Sequence, residues 1–338
     1  DWANHSTTER RYLFNAEANR KYDVRIEYYD NSSTARVELR MINHAYVAQN
    51  RESFANADAV VMCVGFDSMT EKENSDRSFE FPYAQGEMIR QIAMQQSAID
   101  SNCAVEDFTR NENVITISKE NKDARKYLKL PHVCDLTSYG DNIVATVSEE
   151  YKEIVEQYIN KYSVAHCFET PNMHVLNDAF QSAGYRVCFM AEYFLPDVRH
   201  LQALPCEYEF RVLIQEDFKE LYKPEWSNAL CEMRKELDVL GVGAYDNEEL
   251  IGLAACSADC ETMWQIGVDV LPAYRRKGIA SALTSRLAIE ILERGKVPFY
   301  CCAWSNVKSA RNAIRSGFRP AWVQMTVKPA AFVEEMNQ

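Results

Sequence analysis

The feature that most restricts the fold is an internal repeat. Residues 172–186, Asn172-Met-His-Val-Leu-Asn-Asp-Ala-Phe-Gln-Ser-Ala-Gly184-Tyr185-Arg186, read like Asn306-Val-Lys-Ser-Ala-Arg-Asn-Ala-Ile-Arg-Ser-Gly317-Phe318-Arg319, with Ala183 as one extra residue in the first copy. In each copy a helix-forming stretch is halted by glycine, the expected residue just past a helix end. An aromatic residue and an arginine follow, then an apolar run, Val187–Phe194 in one copy and Ala321–Val327 in the other. Each run meets a proline two residues further on, Pro196 and Pro329. A helix–Gly–aromatic–strand–Pro order repeated in this detail implies duplication of one α/β unit, with helices laid on the face of a sheet.

The second copy extends upstream in a legible order. Val239–Tyr245 and Leu250–Cys256 read as two strands of a hairpin around the turn Asp246-Asn247, and Thr262–Val270 as a longer strand. A basic loop, Arg275–Lys277, precedes a helix over 278–294 that sets Ile279, Ala282, Leu283, Leu287 and Ile291 on one face and stops at Gly295. Val297–Trp304 is a continuous apolar run of the kind buried on both faces of a sheet. The expected class is α/β, mixed sheets with flanking helices.

The loop Arg275-Arg276-Lys277-Gly278-Ile279-Ala280 fits the pattern R/Q-x-x-G-x-G/A and stands between a strand and an amphipathic helix. A helix N-terminus offers unpaired N–H groups and the positive end of its dipole, and together these cradle an anion. Gly278 allows close backbone approach and Ala280 keeps the next turn slim. Three cations placed there oppose the helix dipole at a cost of about 0.3–1 kcal/mol each when exposed. A bound pyrophosphate turns that penalty into attraction.

The formal net charge of −13 argues against nucleic acid as a partner of the whole surface, although a local basic patch can still hold a small anion. No apolar run approaches the ~18 residues of a membrane span. Eleven cysteines without a C-x-x-C pair point to thiols in a reducing, cytoplasmic compartment and to no structural zinc, and the six histidines have no ligand spacing, so no metal is expected. Cys301-Cys302, in an apolar strand, reads as packing and not as a nucleophile served by His166 or His174.

On these residues the chain resembles the GNAT superfamily of N-acetyltransferases. Val270-Leu-Pro-Ala-Tyr-Arg-Arg-Lys-Gly-Ile-Ala280 is similar to that family's acetyl-CoA pyrophosphate motif, and Trp304-Ser305-Asn306 through Ser309 to Gly317-Phe318 to its closing strand–helix unit. The likeness covers 207–328 well, and the repeat places a degenerate first copy at about 95–205, giving tandem GNAT-like units of 94–205 and 206–338. The resemblance implies acetyl-CoA as co-substrate, transfer of its acetyl group to a primary amine of a small molecule, and compatibility with a homodimer. It assigns the cofactor to the main chain of Val268 and Val270, the loop Arg275, Arg276, Lys277, Gly278, Ile279 and Ala280, and the side chains of Asn306 and Ser309. The strands 262–270 and 297–304 would splay to admit the thioester. The first copy lacks the R-x-x-G-x-G/A loop and takes no cofactor.

Where many members carry a tyrosine as thiolate acid, four residues before the Gly of the Gly-Phe pair, this chain has Ala313. Tyr300 or a water is the candidate to replace it, with Asp269, Glu232 and Asp259 as candidate bases and Trp226-Ser227-Asn228 with Trp264 over the acceptor. A module that holds CoA without turnover is the alternative the missing tyrosine leaves open.

Residues 1–93 differ. Tyr22–Tyr29 and Thr34–Met41 read as paired strands, Ala57–Phe66 as a buried strand and Glu87–Met94 as the start of a helix, too little to enclose a core. Ala57–Phe66, Thr70–Pro82 and Gln85–Ile89 resemble part of the C-terminal α/β domain of family-three glycoside hydrolases, and the strands within 20–41 resemble the tail of a PA14-type sugar-binding insert. Glu73 stands where that family's general acid/base lies, with Asn74 and Ser75 in place of its Gly-Tyr. The expectation is a partial β/α fragment fused to a complete transferase opening at Met94, with a β-glucosidase-type activity as the alternative function. The opening Asp1-Trp2 is neither an initiator methionine nor a signal peptide, so the sequence is expected to begin within a longer frame or after processing.

Overall fold

The computed structural model describes residues 85–337. Their strands form one mixed ten-stranded sheet in the order β1-β3-β2-β10-β4-β9-β8-β7-β6-β5. The expected α/β class is observed, and both copies of the repeat contribute to that single sheet.

The repeat explains how. The first copy becomes helix α3 (Thr170–Gln181) and β4 (Tyr185–Pro196), the second α5 (Val307–Arg315) and β10 (Phe318–Pro329). These two strands pair with each other, antiparallel, and their ends meet at equivalent positions: Phe318 opposes Pro196 and Pro329 opposes Tyr185. Duplicated segments thus lie about a local two-fold axis at the centre of the sheet. Gly184 and Gly317 both stop their helices at positive φ, +81° and +92°.

On one side of this centre lie β1 (Val114–Ile117), β3 (Val144–Val147) and β2 (Cys134–Ser138), with β2 paired to β10. Helix α2 (Lys152–Lys161) and α3 cover them, burying Val155, Tyr158, Leu176 and Phe180 against Leu136, Val147 and Met325. On the other side β5 (Glu209–Ile214), β6 (Asp238–Asp246), β7 (Glu249–Ser257) and β8 (Met263–Val270) form an antiparallel meander. Helix α4 (Ile279–Glu293) lays Ile279, Leu283, Leu287 and Ile291 on it, the face expected from sequence. β9 (Val297–Ala303) then returns parallel to β8 and pairs with β4. A short helix, α6 (Ala330–Met336), follows β10.

Helix α1 (Gln85–Ser101) runs through the boundary expected at 93/94. Ile89, Ala93, Met94 and Ala98 all bury their side chains in one cluster with Tyr193, Phe299 and Trp322. Residues on both sides of the boundary therefore belong to the body that contains the central sheet. Met94 lies in mid-helix, where a start would remove two turns of packing. Behind α1, Arg125 is buried, paired with Asp100 of that helix, and its guanidinium lies within 6 Å of the rings of Tyr127 (5.4 Å), Tyr193 (5.5 Å), Phe299 (5.9 Å) and Trp322 (5.9 Å). A guanidinium taken from water needs such an anion and such ring faces. The readings made on residues 1–84, including the glycoside hydrolase motifs and Glu73, lie outside the described residues.

Candidate functional site

β8 and β9 pair in parallel only from Met263↔Val297 to Ile266↔Tyr300. Beyond that point Gly267–Val270 and Cys301–Ala303 have no partners in each other, so the two strands part as the sequence reading expected. A cleft of about 480 Å³ opens at the divergence, lined from β8 by Gln265 to Val268, from β9 by Tyr300 to Cys302, and from α5 by Asn306 and Ser309. The opposite wall is the loop 227–231 with Arg234, Asp238 and Ser257.

That wall is held in place by two features of β8. A Cβ at Gly267 would lie 1.9 Å from the carbonyl oxygen of Asn228, so only glycine lets the loop cross the strand where β9 departs. Asp269 accepts hydrogen bonds from the main-chain N–H of Asn228 and Ala229 (2.8 and 2.9 Å) and from Asn228 Nδ2 (2.7 Å). The carboxylate expected as a base is a staple for the loop 227–231, taking two hydrogen bonds on Oδ2 and one on Oδ1. Glu232, another carboxylate expected as a base, stands on the surface outside the cleft lining, 3.3 Å from Lys235 Nζ. Trp226 is core, buried against Phe218 and Leu253.

At the far end of β8 the chain enters the basic loop. Arg276 and Gly278 both take positive φ, +69° and +84°, and a chain that changes hand at alternate residues turns its N–H groups to one side as an anion nest. Gly278 is the N-cap of α4 and no side chain caps the helix. A side chain at 278 would project into open space, so the position leaves room beside the orphan N–H groups. The three cations have different tasks. Arg275 Nε donates to the carbonyl of Val270 at 2.9 Å, fixing the turn and engaging a main-chain acceptor that sequence reasoning reserved for the cofactor. Lys277 Nζ bonds Tyr208 Oη at 2.6 Å and lies over the rings of Tyr208 and Tyr274. Arg276 is exposed and makes no ion pair among the described residues.

Near the cleft's other end, Asn306 caps α5 by accepting from Ser309 N–H at 3.1 Å, and Ser309 Oγ shares a 2.7 Å hydrogen bond with Tyr300 Oη. The two side chains thus reach the cleft partly engaged. Burial raises the Tyr300 hydroxyl above its ordinary pKa, opposed by the bond to Ser309. Cys301 accepts from Gln265 Nε2 at 3.0 Å, and burial pushes its thiol up to about 12, which keeps it protonated and unreactive. His166 and His174 do not line the cleft.

Sequence reasoning missed Arg234, Asp238 and Ser257 because they come from separate stretches that only the β6–β7 pairing and the turns at 232–237 bring together. The buried aspartate at the head of β6 and the lone arginine after Cys231 are visible in sequence, but nothing there says that they meet.

All ten cysteines described are free thiols, and among the described residues no group of three or more His, Cys, Asp or Glu is arranged to hold a metal. No described helix is long and apolar enough to cross a membrane.

Among solved structures, the chain is similar to a GNAT-family acetyltransferase from Novosphingobium aromaticivorans (19% identity, 43% of this chain and 66% of that one, TM-score 0.33). It is also similar to a GCN5-related N-acetyltransferase-like protein from Streptococcus suis (18%, 48% and 68%, TM-score 0.35) and to a tandem GNAT protein of the clavulanic acid biosynthesis pathway (15%, 45% and 58%, TM-score 0.32). The chain thus spans about two thirds or less of these structures' lengths. No curated protein matches it. The family model for GNAT acetyltransferases matches residues 109–321, a span that takes in the first copy of the repeat, the helix of the second, the parting strands and the uncapped helix. The chain belongs to the GNAT acetyltransferase family.

Proposed function

We propose that the chain is an N-acetyltransferase that moves an acetyl group from acetyl-CoA to a primary amine of a small molecule. The observation that carries this reading is the uncapped amino end of α4, entered through two positive-φ residues, directly after the strand whose parting from β9 opens the cleft. N–H groups of Arg276 to Ala280 would bind the pyrophosphate, with Arg276 the cation free to join them. Val268 offers unpaired main chain toward the pantetheine arm, while Val270 offers less because Arg275 holds its carbonyl.

In the reaction the amine nitrogen bonds to the acetyl carbon and the carbon–sulfur bond breaks. The chain's work is to align the two reactants and supply a proton to the departing thiolate. Tyr300, in the cleft and hydrogen-bonded to Ser309, is the residue placed to do so where Ala313 stands in the usual tyrosine position.

Calorimetry of the full chain with acetyl-CoA tests the cofactor, and release of free thiol across a panel of amines tests turnover. Binding heat with thiol release supports the reading. Heat without thiol release for any amine reduces the chain to a CoA-binding module, and no heat ends the assignment.

A further inference from the structure

Among the lining residues of the cleft, Arg234 and Asp238 are the charged ones, and both stand on the wall opposite Asn306 and Ser309. Arg234 is fixed from behind. Its Nη1 donates to Oδ1 of Asp259 at 2.7 Å, and its guanidinium lies 5.7 Å from the ring centre of Tyr127. Asp259 is fully buried and is itself tied by its main-chain oxygen to the N–H of Lys126 at 2.9 Å. The Arg234 side chain remains 31% exposed. A guanidinium carries five N–H donors in a rigid fork, and one bond to Asp259 leaves the others for the cleft.

Asp238 is 1% exposed, and its Oδ2 accepts from Cys231 N–H (2.9 Å) and Tyr222 Oη (3.3 Å). Its Oδ1 takes no hydrogen bond among the described residues. Ser257, its partner across the β6–β7 ladder, is more than nine-tenths buried; its hydroxyl reaches no group at hydrogen-bond distance yet lies near enough to Asp238 to favour the ionised carboxylate. Buried hydroxyls are rarely left so, and in a cleft lining beside a carboxylate water or a ligand completes them.

We infer that the acceptor is an amino acid or a close relative: its carboxylate sits on Arg234 and its ammonium on Asp238 and Ser257. The geometry is that of a zwitterion site, one fixed cation and one fixed anion on a wall otherwise made of Ser227, Asn228, Ala229, Leu230, Cys231 and Ser257. This inference rests on the transferase reading and narrows its acceptor class. In the transfer the ammonium gives up two protons, one ending on the CoA sulfur and one in solvent, as the N–C bond forms and the C–S bond breaks.

The test compares glycine, β-alanine, 4-aminobutyrate and lysine with their primary carboxamides, which keep the amine and lose the anion. Binding to the CoA-loaded full chain is measured by calorimetry, and turnover by thiol release. At least one acid is expected to bind and react about tenfold to hundredfold better than its carboxamide, the range for a hydrogen bond to a charged group. Arg234→Lys keeps a cation beside buried Asp259 but removes the fork. It should reduce that preference to within about threefold while the heat of acetyl-CoA binding is unchanged. Equal use of acids and carboxamides, no binding by any acid, or a preference that survives Arg234→Lys each overturns the inference and leaves the transferase intact. Absence of acetyl-CoA heat in the wild-type chain instead removes the transferase reading itself.

Discussion

Each half of the sheet contains one parallel strand pair, one strand of which leads into a helix, and the two are built to opposite ends. In the half with the cleft, β8 leads through Arg275-Arg276-Lys277-Gly278 into an uncapped α4. In the other, β3 leads into α2 through Glu149 and Glu150, with Glu153 in the first helical turn. The first opening carries cations against its own dipole and suits an anion. The second places exposed carboxylates where the dipole favours them, although no side chain caps its helix either. The parallel pairs differ in the same sense. β1 and β3 are in register along all of β1, whereas β8 leaves β9 at Ile266, where the loop 227–231 crosses it. A binding site here is the strand–helix step left electrostatically unfinished and sterically open. The same step with carboxylates at its opening and its strands in register is scaffold.

The contrast can be broken experimentally. The largest effect expected is from Gly278→Glu, which puts a carboxylate at the helix opening and should weaken acetyl-CoA binding at least about a hundredfold by calorimetry. Gly278→Ala, which shares the positive-φ strain of roughly 1 kcal/mol, should retain most of the affinity. If both variants bind alike, charge at the opening is not what separates the halves.

A second test uses the cost built into the cleft wall. Burial, opposed by Arg234, raises Asp259 from 3.8 to about 6. A carboxyl pKa raised by folding contributes stability that is complete below the unfolded value, near pH 4, and is lost as pH climbs through 6. Asp259→Asn removes this slope. Its stability relative to wild type should therefore improve by about 2–3 kcal/mol between pH 4 and pH 6 in urea melts. A difference independent of pH would mean that the carboxyl is not strained by its surroundings.

Asp269→Ala cuts the staple on the acceptor loop and should cost about 2 kcal/mol of stability, raising the acceptor KM with the acetyl-CoA heat preserved. The smallest effect is a null one. Glu149→Gln with Glu150→Gln, placed in the Gly278→Glu background, should restore no acetyl-CoA binding, because neutralising the opening does not part β1 from β3. Recovered heat would show that charge alone distinguishes the two steps.

Legibility followed the same division. The cleft half was readable because β6 and β7 are apolar and joined by Asp246-Asn247, and because glycine and three cations mark the head of α4. The edge strand β5 escaped notice, its alternation ending in Leu213-Ile214 with Ile214 exposed. β1, β2 and β3 were not read at all. They are four, five and four residues long, and β2 carries Asp135, Thr137 and Ser138, all buried. Asp135 is matched by Gln324 Nε2 at 2.9 Å, a partner 189 positions away, so no local window could mark it as interior. The hydrogen bonds of Asp269 and Asn306 were hidden for a related reason. Residue type announced a carboxylate and an amide near the site, but only the neighbouring main chain decides whether their lone pairs are engaged.

The position of β10 has a consequence for biogenesis. Because this strand fills the gap between β2 and β4, a ribosome delivering the chain in order exposes two bare strand borders for as long as residues 318–329 are unmade. Nascent molecules must be shielded from one another from the emergence of β2 and β4 until β10 follows. Among the described strands the sheet is then joined in its interior, like an arch by its keystone.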